Sequence, residues 1–381
     1  MKSPMNRSSF DTPRPHALAL LLVSAFFAAQ LTEAPSSNAA GPLDPPSGPV
    51  APTPGPEPRT PISATTTPGD TFNLYKITQP GSYYLTGNIT AASKNAIAVA
   101  ADNVTIDLNG FTITGTGSTP STGIASPGGL RRALVVRNGN INSFNGYGLS
   151  GDFRDSRFED LAFNANKLGS LEIFQSLDCI ASRIRVTAGI GEAGIQFLGS
   201  ARIEDCIIDG GHSGIFVGSN SVVTGCVVSN QSSTGIKISG GLVENCSVYT
   251  TTGSSSYSDA GIYAGPGTAV RACSIRNVIT AGVFIDGASS VENCLISQCA
   301  KGIASSQFAS GSMRIQGNDF NDCSGTAIDL PSGKHLVIGN RLRGNAANIN
   351  ANANVVLGEV VVCGPGTLPA AAANPTANLV W

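Results

Sequence analysis

Glu192, His212 and Asp259 carry side chains suited to moving protons, and with Ser233 between them they recur at intervals of 20, 21 and 26 residues. Each stands two positions before a glycine that is followed by isoleucine: Gly194-Ile195, Gly214-Ile215, Gly235-Ile236 and Gly261-Ile262. A second series lies two positions after the same kind of marker and reads Gln196, Phe216, Lys237, Tyr263, Phe284, Ala304. If the chain repeats in space as it does in sequence, the first series becomes an acid/base column and the second an outward ladder of rings with one amine. Carboxyl groups and an imidazole within reach of a bond can deliver and remove protons, and two carboxyl groups flanking a glycosidic bond can hydrolyse it. Flat rings offer apolar faces to sugar rings, and an amine between them can meet a carboxylate or sulfate. Glu192, His212, Lys237 and Asp259 are therefore the candidate catalytic residues, and Gln196, Phe216, Tyr263 and Phe284 the candidate substrate-binding residues.

The element that must position them is a repeat. The small-then-aliphatic marker runs from Ala96-Ile97 through Gly123, Gly148, Gly169, Gly194, Gly214, Gly235, Gly261, Gly282 and Gly302 to Ala327-Ile328, eleven positions in all. Cysteines keep similar time, Cys179, Cys206, Cys226, Cys246, Cys273, Cys294 and Cys323 being 27, 20, 20, 27, 21 and 29 residues apart. Asp102 to Thr114 (DNVTIDLNGFTIT) alternates Val104, Ile106 and Leu108 with Thr105, Asp107 and Asn109, the period of a strand buried on one face. A period in the low twenties built from such strands and Gly/Asn turns predicts a solenoid in which each repeat is one coil. The expected fold is all-β, a single-stranded right-handed parallel β-helix of about eleven coils, right-handed by analogy with parallel crossovers.

Composition agrees and narrows the partners. The chain holds 45 Gly in 381 residues and only 13 % charged residues, which suits short strands and tight turns. A net charge of −2 with scattered Lys and Arg supplies no basic footprint, so no nucleic-acid partner is expected. Lys2, Arg7 and Arg14 precede the apolar run Ala17 to Ala29 (ALALLLVSAFFAA), the make-up of a signal peptide, with Ser37-Asn38-Ala39 a small-x-small cleavage site. The domains expected are a signal peptide over 1–39, a Pro-rich linker over 40–69, the β-helix over 70–363 and a C-terminal tail over 364–381. After export the chain is expected to be a monomer without a membrane-spanning segment. No CxxC pair or other ligand cluster is present, so neither metal nor cofactor is expected. Nine cysteines cannot all pair; they read as buried thiols, with Cys294 to Cys299 and the outlying Cys363 as the exceptions.

Over residues 70 to 345 the chain resembles the secreted right-handed parallel β-helix repeat proteins whose best-known enzymes are pectate lyases and polygalacturonases. Ile77 to Ile89 (ITQPGSYYLTGNI) followed by DNVTIDLNGFTITG is similar to their opening strand and first coil, and Val337 to Arg341 (VIGNR) to their last. The resemblance implies a polysaccharide or cell-surface glycan as partner, and an inward turn position filled by like residues, usually Asn, which Cys takes here. It does not extend to a catalytic signature. Gly211-His212-Ser213-Gly214 and Gly235-Ile236-Lys237 are present without an Asp-Asp pair, and no dense carboxylate cluster forms a calcium site. The function expected is polysaccharide binding, with cleavage by a lyase or hydrolase possible in principle; the alternative is a non-catalytic surface or adhesion solenoid.

Overall fold

A computed structural model describes residues 58–187, 191–253, 259–307, 311–364 and 369–381. These build a right-handed parallel β-helix of about fourteen turns, with strands throughout and a single 3-10 turn at Ala370–Ala373. The coil through Glu192 is representative. Its first strand, Ala193–Phe197, belongs to a fourteen-stranded sheet; Ala201–Glu204 and Ile207–Asp209 belong to a twenty-six-stranded sheet that bends between them. Every ladder pairs in parallel with the equivalent strand one coil away, as Ile195 with Ile215 and Ile215 with Ile236.

The bend has a local cause. Asp205, Asn245 and Asn293 sit at φ of 52°, 54° and 55°, the left-handed region that short polar side chains and Gly tolerate best. The residue that follows turns inward and is buried: Cys206, Cys226, Cys246, Cys273 and Cys294 in successive coils, then Asn318, Asn340 and Asn378. The asparagines form a hydrogen-bonded ladder, the Asn318 amide nitrogen donating to the Val291 carbonyl at 2.9 Å while its backbone N–H donates to Asn340 Oδ1, also at 2.9 Å. Glu244-Asn245-Cys246 and Glu292-Asn293-Cys294 each thus form a left-handed corner followed by an inward thiol. All nine cysteines are free and buried, Cys294, Cys299 and Cys363 included.

The glycine marker also has a steric reason. A Cβ on Gly235 would lie 2.4 Å from Val248 Cγ1 and 2.5 Å from the Gly261 carbonyl oxygen, and Gly214 and Gly261 are equally crowded. Coils can stack there only with a residue that has almost no side chain.

The stack exceeds the eleven coils expected. Leu74-Tyr75 starts it, Tyr75 pairing with Ile97, and Asn348-Ile349 adds a rung where Ile349 pairs with Ile328. Neither carries the small-then-aliphatic marker, so neither was visible. Residues composition gave to the linker join the fold, since Thr60–Pro61 pair with Tyr83–Tyr84 and Ile62 is buried. At the other end Asn378–Val380 of the expected tail pairs with Arg341–Arg343 and completes the asparagine ladder. The expected signal peptide and most of the Pro-rich segment lie outside the described residues. Among the described residues no helix is long and apolar enough to cross a membrane.

Candidate functional site

Alternation along the fourteen-stranded sheet turns one column of side chains outward. Gln196 pairs with Phe216, Phe216 with Lys237, Lys237 with Tyr263, and Tyr263 with Phe284. Beside this ladder the turn column keeps step: the Ser213 N–H donates to the Glu192 carbonyl at 3.0 Å and the Ser233 N–H to the His212 carbonyl at 2.8 Å. The two columns meet in a cleft of about 650 Å³ lined by Glu192, Gln196, His212, Phe216, Lys237 and Asp259, with Gly191, Ser213, Ser233 and Thr234 between them.

Lys237 is held rather than loose. Its ammonium lies 5.0 Å from the Phe216 ring centre and 5.3 Å from that of Tyr263, a cation between two aromatic faces. Each such contact stabilises by about 0.5–1 kcal/mol at a partly exposed site, so the two together offset most of the roughly 1.5–2 kcal/mol of rotamer entropy lost in ordering the side chain. Tyr263 is anchored by its hydroxyl, which donates to Asp286 Oδ2 at 2.8 Å, and burial together with that carboxylate pushes its phenol up to about 12. His212 and Glu192 are exposed, His212 Nδ1 lying 3.5 Å from Ser213 Oγ.

Two of the expected site residues have more covered settings. Asp259 is 8 % exposed and its Oδ1 accepts a hydrogen bond from Ser233 Oγ at 2.6 Å, so its carboxylate is structurally engaged at the cleft edge. Phe284 continues the ladder but is 4 % exposed, packed with Ala260, Ala281, Ala304 and Tyr263 in an apolar cluster outside the main core. The outward direction at Phe284 therefore leads into packing, and the open part of the ladder ends at Tyr263. Residues 254–258, which precede Asp259 in the chain, lie outside the described residues.

One residue at the site escaped the sequence. Glu172 pairs with Gln196 and so occupies the next rung of the ladder. It is 4 % exposed; burial first, then the neighbouring Glu192 charge, push its carboxyl up to about 7, against a hydrogen bond with Gln196 that pulls it down. Both carboxylates also raise the Tyr147 phenol, after its own burial, so Tyr147, Glu172 and Glu192 share one corner. The signal was one residue away: Gly169 pairs with Ala193, not Gly194, making Ser170-Leu171 the true marker of that coil. Counting from Gly169 points to inward Leu171 and hides Glu172, since a slip of one exchanges the faces of a strand.

Among the described residues no group of His, Cys, Asp and Glu could hold a metal ion. The site can offer stacking surfaces, one cation, and a pair of interacting carboxyl groups of which the buried one holds its proton near neutral pH.

Comparison with known proteins finds distant likenesses only. No curated protein matches the chain. Among solved structures, the chain is similar to ORF18 of Geobacillus virus E2, with 12 % identity, a TM-score of 0.45, and coverage of 74 % of this chain and 55 % of that one. It is also similar to the A-module of mannuronan C-5 epimerase AlgE4 from Azotobacter vinelandii, at 12 % identity and a TM-score of 0.31 over 79 % and 86 % of the two chains. Tailspike protein 3 of bacteriophage CBA120 gives 14 % and 0.34 over 79 % and 59 %. The chain thus spans about half the length of the first of these, and likeness at this level carries no functional weight. Residues 239–358 match the family described as a right handed beta helix region, in agreement with the coil geometry of those residues.

Proposed function

We propose that the cleft on the fourteen-stranded sheet binds a polysaccharide segment laid along the stacked coils, and that the protein does so after export. The observation that supports this most is the in-register stack of Phe216, Lys237 and Tyr263, with the Lys237 ammonium held between the two rings and Phe216 and Lys237 lining the open cleft. Phe216 and Tyr263 stand two rungs apart, about 9.6 Å, on either side of Lys237, and offer two apolar faces against which sugar rings can lie. Glu192 and Asp259 against a single Lys237 make the lining more acidic than basic, which favours a neutral glycan over a dense polyuronate. Equilibrium titration of the purified protein with neutral and acidic oligosaccharides tests the reading: a neutral oligosaccharide should bind, and Phe216→Ala should weaken it about tenfold. Absence of binding by every glycan of the panel contradicts it.

Turnover is a second reading, supported by the interaction of Glu172 with Glu192. Hydrolysis needs one protonated and one ionised carboxyl group near the bond, and burial holds Glu172 toward the first state. New reducing ends that disappear in Glu192→Gln would support hydrolysis, and unsaturated products would support a lyase instead; binding with neither product would make this a binding solenoid. The leader Lys2 to Ala39 supports export: the secreted form should begin near Ala40 by N-terminal sequencing, and retention of the leader would contradict a cleaved signal.

A further inference from the structure

A second outward ladder lies on the twenty-six-stranded sheet, away from the cleft. Tyr249 pairs with Arg276, Arg276 with Ser297, Ser297 with Asn321, and Asn321 with Arg343. Trp381 follows: Leu342 pairs with Val380, and the Trp381 N–H donates to the Leu342 carbonyl at 2.9 Å. The residue before each is buried, Val248, Ile275, Ile296, Phe320, Leu342 and Val380 in turn, so alternation points the ladder outward.

One end of the ladder couples a ring to a guanidinium, and the other sets a ring and a guanidinium on neighbouring rungs of one cavity. Arg276 lies 5.2 Å from the centre of the Tyr249 ring, and Trp381, 44 % exposed, is the register neighbour of Arg343. The Arg343 end opens into a cavity of about 560 Å³ whose lining includes Asn321, Arg341 and Trp381. Arg341 lies 3.7 Å from Asp319, whereas neither Arg276 nor Arg343 has a carboxylate partner among the described residues. An unpaired guanidinium beside an aromatic ring matches the planar fork of a carboxylate or sulfate and leaves the ring for an apolar face. Three rungs separate the two arginines, roughly 14 Å at strand spacing, with short polar Ser297 and Asn321 between.

We propose that this ladder is a binding track for an acidic polysaccharide, Arg276 and Arg343 taking two of its anionic groups and Tyr249 and Trp381 carrying sugar rings at either end. Nucleic acid fits poorly. Two uncommitted cations spread over six rungs fall far short of a duplex bearing one charge per about 1.7 Å, and the chain as a whole carries a net charge of −2. The track shares no residue with the cleft, so the two stand or fall separately.

Trp381 is the only tryptophan of the chain, so its fluorescence reports on this face alone. The purified full chain is titrated with a galacturonate oligosaccharide, which carries only carboxylates, and with a heparin oligosaccharide, which carries sulfates as well. A saturable change is expected with at least one, weakened about tenfold or more by Arg343→Ala and by Arg276→Ala, weakened by salt, and unaffected by Lys237→Ala in the cleft. A response to the galacturonate identifies carboxylate as sufficient; a response to heparin alone identifies sulfate. Both arginines are exposed, so the variants test the surface rather than the fold. The proposal is overturned if neither oligosaccharide changes the fluorescence, if the change survives the double arginine variant, or if a single-stranded oligonucleotide binds more tightly than both.

Discussion

Glu172 is the residue whose protonation matters most to the cleft. Its carboxyl is raised from about 4.5 to about 7 in the folded protein, so its favourable contribution to stability is complete below pH 4.5 and is lost as the pH rises through 7. Glu172→Gln cannot ionise and should be as stable as the parent at pH 4, but more stable at pH 8 by on the order of 2–3 kcal/mol. Urea unfolding at the two pH values checks this, and equal differences at both would contradict the buried-carboxyl account. Lys237 makes a complementary case. Lys237→Met keeps the stem between Phe216 and Tyr263 but removes the ammonium, so the fold should be kept with a loss of about 1–2 kcal/mol from the two cation–π contacts, while any part of glycan affinity that depends on the charge is lost.

At the scale of the coil, three devices hold the strands that present these side chains: left-handed corners, an inward column of Cys giving way to Asn, and glycines where one coil meets the next. Asn340→Ala removes the acceptor of the buried Asn318 N–H and the amide that donates to Ile315, Ile338 and Asn378, and should cost about 1–3 kcal/mol. Gly235→Ala should cost a similar amount, about 1–3 kcal/mol, because its Cβ meets Val248 and the Gly261 carbonyl just before the strand that carries Tyr263. All nine thiols are buried, and burial raises those of Cys179, Cys299 and Cys323, Cys299 to about 12, so the nine should not react with a disulfide reagent until the protein unfolds; a fast-reacting thiol would contradict the packing. The period, the strands and the two columns of the cleft were legible because each coil repeats one physical requirement, a small residue at the stacking contact. Departures arose where another solution met that requirement. Ser170 replaces the glycine of its coil and hides Glu172. Cys179 starts a strand and pairs with Ala201, so it belongs to a different corner from Cys206, despite the similar spacing. The burial of Phe284 was not legible, because packing over an outward face leaves no periodic trace.

Across the whole molecule the parallel stack converts sequence period into distance, and that conversion is what makes a functional account possible. Side chains 20 to 27 residues apart become neighbours at strand spacing, so a few rings and charges form a track on each of two faces. The open cleft joins Glu192 and His212 to Phe216 and Lys237, with Glu172 on the rung beyond Gln196, while Trp381 joins a separate arginine ladder. The measurement that tests the central claim most directly is retention of the purified protein on a panel of immobilised neutral and acidic polysaccharides, run beside Phe216→Ala and Tyr263→Ala. The expected result is retention on at least one neutral glycan that both substitutions abolish while Arg343→Ala leaves it intact. Retention unchanged in both aromatic variants, or none on any neutral glycan, would contradict the cleft as a glycan-binding site.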